Sequence, residues 1–179
     1  MSNSRSSSVL QTENIPHGYL PRHIHAELQV SAVVTAPMLV ATLPAYFRRD
    51  GVESSVAWAL KAETAKGLLV KPLHGVYGLA SDPPTWVEAL TAHSPLAGAV
   101  CPYLSRTRGQ TSSSLAKLLQ DDPRFVGVTA ASVARALRMM ERSGLIFSNG
   151  RQWGANTDLQ APCAPATSPR PDTLEYLLS

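Results

Sequence analysis

The sequence predicts a mainly helical α+β protein: two related units in tandem, each a set of short helices closed by a small β-hairpin. Two observations predict it. The first is a motif that occurs twice without a gap. Ser55-Val56-Ala57-Trp58-Ala59-Leu60-Lys61 runs to Gly67-Leu68-Leu69, and Ser132-Val133-Ala134-Arg135-Ala136-Leu137-Arg138 runs to Gly144-Leu145-Ile146. Recurrence at fixed spacing marks related structural units. The second is what each copy contains: an apolar stripe at helical spacing, a glycine stop, and an apolar run ending in a turn signal.

The elements follow in order. Residues 1–18 are serine-rich and polar and predict a disordered arm. A first unit spans residues 19–81. Within His25 to Val34, the residues Leu28, Val30, Val33 and Val34 are ambiguous between helical and strand periods. Pro37 after Thr35 suits a helix start, and Pro44 divides the helix that continues through Leu39, Leu43 and Phe47. Arg48 to Gly51 is a turn. A helix from about Glu53 to Lys66 takes Ser54 or Ser55 as its cap and stops at Gly67. Leu68 to Lys71 and Val76 to Leu79 are strands joined through His74-Gly75.

Ser81 to Pro84 is a break, and a second unit spans residues 82–159. Trp86 to His93 reads as a helix with Trp86, Val87 and Leu90 on one side. Ser94 to Tyr103 is a short helical stretch cut by Pro95 and Pro102. Arg106 to Ser114 is a loop that leads into a helix to Leu119. Asp121 to Val128 is a turn, and Thr129 caps a helix from Ala130 to Ser143. Leu145 to Ser148 and Gln152 to Trp153 flank Asn149-Gly150, a strong hairpin signal. Residues 160–179 predict a proline-rich tail closed by a short apolar segment that includes Leu177.

Composition bounds the function. The chain has 179 residues, 44% hydrophobic, with a net charge of +3, enough to bury a core and mildly basic. The charge is concentrated. From Ser105 to Arg151, eight basic residues (Arg106, Arg108, Lys117, Arg124, Arg135, Arg138, Arg142, Arg151) face Asp121, Asp122 and Glu141. Arginine's planar fork suits phosphates and base edges. Cys101 and Cys163 lack metal-site spacing, so reduced thiols are expected and no metal or other cofactor is. The polar start carries no signal-peptide core, and no run is long enough to span a bilayer, which predicts a soluble, cytoplasmic protein with no membrane partner.

On the second helix, Val133, Leu137 and Met140 form an inward stripe, while Arg135, Arg138, Met139 and Arg142 share the other face. Ser132 and Thr129 near its start can donate to phosphates, and Arg151 sits beside the hairpin tip. These residues, with Arg106 and Arg108, form a candidate DNA-binding set for double-stranded DNA. The first copy carries Trp58, Lys61, Ala62 and Ala65 at the matching positions. That surface suits a protein partner or a homodimer, with Leu177 of the apolar tail as a further contact.

The residues Ser132 to Ile146 with Asn149-Gly150, and Ser55 to Leu69 with His74 to Tyr77, resemble the recognition helix and wing of winged helix-turn-helix domains, as in many small bacterial and archaeal regulators. The resemblance covers about three quarters of the chain. It implies a helix set into the major groove and a function in transcription regulation. Tandem winged helices also occur in plasmid replication initiators and in accessory subunits of chromosome-condensing complexes. A replication or partition protein, or an interaction subunit of a nucleoprotein assembly, is therefore the alternative. Catalysis is not expected. His23-x-His25 has no accompanying ligands, Asp121-Asp122 reads as a turn, and no phosphate-binding glycine loop is present.

Overall fold

The computed structural model describes residues 15–104 and 109–163. It is a mixed α+β structure with seven α-helices and two small antiparallel sheets among these residues.

The first unit begins with α1 (Tyr19–Val30), which buries Ile24 and Leu28. The helix starts earlier than the ambiguous stretch suggested and ends before Val33, because Leu20, Ile24 and Leu28 form the four-residue stripe that packs. Beyond it lies β1 (Val34–Thr35). Thr35 then caps α2 (Ala36–Thr42), its hydroxyl accepting from the Met38 amide at 3.4 Å. Pro44 ends α2 by forcing Leu43 into extended geometry, and a 3-10 turn, Ala45–Phe47, follows.

Next comes α3 (Val52–Ala65). Its cap differs from expectation: Gly51, left-handed at φ 81°, precedes it, and Ser54 and Ser55 lie inside the first turn. Gly67 terminates the helix region at φ 75°. The hairpin of β2 (Leu69–Leu73) and β3 (Val76–Leu79) completes a sheet of order β1-β3-β2.

The second unit repeats this order. Two helices, α4 (Trp86–His93) and α5 (Pro95–Val100), stand where the first unit has α1. Thr85 and Glu88 form a capping box on α4, and Ser94 caps α5. Gln110 bridges Trp153 as β1 pairs with β3. Thr111 then caps α6 (Ser112–Leu119) just as Thr35 caps α2. After a 3-10 turn (Pro123–Phe125), Thr129 caps α7 (Ala130–Arg142), and β4 (Ile146–Asn149) pairs with β5 (Gln152–Ala155). The break placed at Gln160 falls inside a packed segment. Leu159 to Cys163 lies along the start of α4, with the Trp86 and Val87 amides donating to Ala161 and Leu159 and the Cys163 amide donating to Pro84 at 2.7 Å.

Two cores result. Ile24, Leu28, Val34, Leu39, Leu43, Val56, Leu60 and Leu69 form the first. The second joins Val33, Leu73 and Val76 of the first unit to Leu90, Val100, Leu115, Val133, Leu137 and Met140 of the second. Val33 and Val34 are neighbours on extended backbone, so they point to opposite faces and into different cores. The three-stranded sheet is thus covered on both sides, by α1–α3 and by α4. At Gly78 the link is tight enough that a Cβ would fall 2.7 Å from Pro84 Cγ.

Candidate nucleic-acid interface

The exposed chemistry of α7 follows from its packing. Val133, Ala136, Leu137 and Met140 are buried, which fixes the rotation of the helix about its axis. Arg135, Arg138 and Arg142 are consequently turned outward on successive turns and exposed. No ion pair or hydrogen bond holds any of the three, or Arg151, among the described residues. Each guanidinium keeps its donors for an outside acceptor. Arg151 follows Gly150, which turns the hairpin at φ 67°, and is exposed at the tip.

Two members of the sequence-derived set stand apart from this row. Met139 is half-buried and packs against the core rather than sharing the arginine face. Ser132 is also half-buried, and its hydroxyl shares a 3.0 Å hydrogen bond with Thr129, whose side chain accepts from the Ser132 amide. Both Ser132 and Met139 line a crevice of about 270 Å³ with His93, Ser94, Leu96 and Arg135. Arg106 and Arg108 lie outside the described residues, as does Leu177. Gly109 and Gln110, which follow the first two, adjoin β5 through the Gln110–Trp153 bridge.

The first copy differs at the same positions. Trp58 is 72% exposed, Lys61 is exposed, and Ala62 is half-buried. Trp58 and Ala62 line a groove of about 730 Å³ between α3 and the chain entering α1, and Lys61 lies outside that lining. The hairpins differ too. Leu73 and Val76, which flank the first turn, are buried in the second core, whereas Asn149 and Gln152, which flank the second, are exposed. The first hairpin joins the two units, and the second is free at its tip.

Sequence reasoning missed Glu63. It is 2% exposed and stands where the second copy has Met140. His25 Nε2 of α1 lies 3.0 Å from its Oε2, and Lys66 Nζ donates to its Oε1 at 2.7 Å. The Lys66 bond holds the Glu63 carboxyl below its ordinary value, with His25 helping and burial opposing. The signal was legible: an acid on the buried stripe, seven residues after Val56.

His23 and His25 do not converge. His23 Nε2 bonds Thr42 at 3.0 Å and His25 bonds Glu63. No group of three metal-ligating residues occurs among the described residues. Burial pushes the Cys101 thiol up to about 12 and the Cys163 thiol to about 11, so both stay protonated at neutral pH. Asp122 is engaged by Arg124 at 2.6 Å. No helix among the described residues is long and apolar enough to cross a membrane. Compared with protein-family models, curated proteins and solved structures, the chain matches none.

Proposed function

We propose that the chain is a DNA-binding regulator of tandem winged helix-turn-helix architecture, and that its second unit reads duplex DNA. One observation carries the proposal: three arginines without partners among the described residues occupy the outward side of α7, next to a hairpin that ends in a fourth, Arg151. Like charges on successive turns of a helix repel one another, and an anionic partner relieves that cost. A helix about 10 Å across fits the major groove, where arginine forks pair with guanine edges and phosphates. The order helix, strand, helix, helix, hairpin of the first unit supports the winged-helix assignment, and the second unit matches it with α4 and α5 in place of one helix and the Gln110–Trp153 bridge in place of the strand. The first unit's buried hairpin and single exposed α3 lysine favour a supporting role for that unit.

The test is a gel shift on fragmented genomic DNA at two salt concentrations. Binding weakens steeply with salt, and Arg135→Ala/Arg138→Ala weakens it strongly while the melting temperature stays near wild type. Unchanged binding by that variant would refute the proposal.

A further inference from the structure

We infer that the crevice between the α4–α5 corner and α7 seats one sugar–phosphate unit of the DNA backbone, with His93 and Arg135 holding it. This rests on the proposed docking of α7 on DNA and carries the contact beyond α7, onto a second element. The crevice measures about 270 Å³. Sites for drug-sized ligands run roughly 300–1,000 Å³, so this one suits a single small group.

Its floor and its rim differ in chemistry. Leu96 and Met139 are half-buried and Ala136 is buried, and they make an apolar floor for the carbon face of a deoxyribose. His93, in the last turn of α4, and Arg135, on α7, are exposed and form the rim. Neither has a hydrogen-bond or ion-pair partner among the described residues. Arginine brings a permanent charge and a planar fork, and an imidazole donates an N–H in either protonation state. Ser94 Oγ accepts the Ala97 amide at 3.4 Å and keeps its O–H as a donor. Ser132 also borders the crevice, with its hydroxyl shared with Thr129. No acid lines the crevice among the described residues, so its walls do not repel an anion. Contacts to phosphate and sugar set a protein's register on a duplex. Arg138 and Arg142 lie outside the lining. The arginine row is thereby split: Arg135 fixes register on the backbone, and the other two remain for the groove.

The test is a double-mutant cycle in the full chain, read by fluorescence anisotropy on a short labelled duplex. His93→Ala should weaken binding about tenfold, which is ~1.4 kcal/mol, the scale of one hydrogen bond to a charged group. In an Arg135→Ala background the same change should cost less than about twofold, because the two residues hold one group. In an Arg142→Ala background it should keep its full cost. His93→Gln retains an N–H donor and should recover most of the affinity. Free deoxyribose 5-phosphate, followed by equilibrium dialysis, should show no saturable binding below millimolar concentration. The inference is overturned if His93→Ala binds DNA as wild type does, if its cost is the same with and without Arg135, or if His93→Gln is as weak as His93→Ala. It is overturned equally if the free sugar phosphate saturates the crevice, which would make it a small-molecule site. A chain that binds no DNA at all refutes the reading of α7 and this inference with it. A chain that binds through its arginines and ignores His93 refutes this inference alone.

Discussion

Glu63 shows how one residue separates two copies of a motif. At a stripe position where α7 carries Met140, α3 carries a carboxylate with 2% exposure. A buried charge is tolerated only when paired, and here α1 supplies His25 and the end of α3 supplies Lys66. The pair ties α1 to α3 by direction as well as by packing. Its folded-state acidity is raised, meaning its pKa is held low. The contribution to stability is thus fully present above the unfolded carboxyl value, about 4.3, and is lost as pH falls through the lower folded value. Urea unfolding of Glu63→Gln should show a loss of about 1–3 kcal/mol at pH 7, shrinking towards zero in acid. A loss that is equal at pH 7 and pH 3 would mean the carboxylate's charge is not what stabilises the contact.

At the scale of elements, the capping residues decide where the helices begin. Thr129 accepts the Ser132 amide at 3.2 Å, so Thr129→Ala should cost about 1 kcal/mol, read by thermal melting. It should weaken DNA binding less than Arg138→Ala does, because it loosens only the first turn of α7. The long amphipathic helices α3 and α7, the glycine stops and the Asn149-Gly150 hairpin were legible in the sequence, since periodicity and turn chemistry are local. The two-residue strand β1 was not. Its pairing with β3 is a long-range contact, and Val33 and Val34 serve opposite cores, which erases any single period. Gly51 replaced the serines before α3 because a left-handed glycine turned the chain there. Within the arginine set, side-chain type and helical spacing placed Arg135, Arg138 and Arg142 outward. They could not separate Met139 and Ser132, whose neighbours come from α4 and α5.

At the scale of the molecule, the two units share a core through Val33, Leu73, Val76 and Leu90, so they should unfold together. Leu90→Ala, at a fully buried site, should cost about 2–5 kcal/mol. It should lower amide protection in α3 as well as in α7, measured by hydrogen exchange. Loss confined to residues 86–155 would show two independent units. The shared core also consumes the first hairpin and leaves the second free, and this asymmetry underlies the proposed division of labour. The most direct test is the dependence of DNA affinity on salt, measured by fluorescence anisotropy for two double variants. Each phosphate contact contributes about 0.9 to the log–log slope. Arg135→Ala/Arg138→Ala should flatten the slope by about two contacts and weaken binding strongly, and Lys61→Ala/Lys71→Ala should leave both unchanged. The opposite pattern, with the lysines of the first unit setting the slope and the arginines of α7 silent, would contradict it.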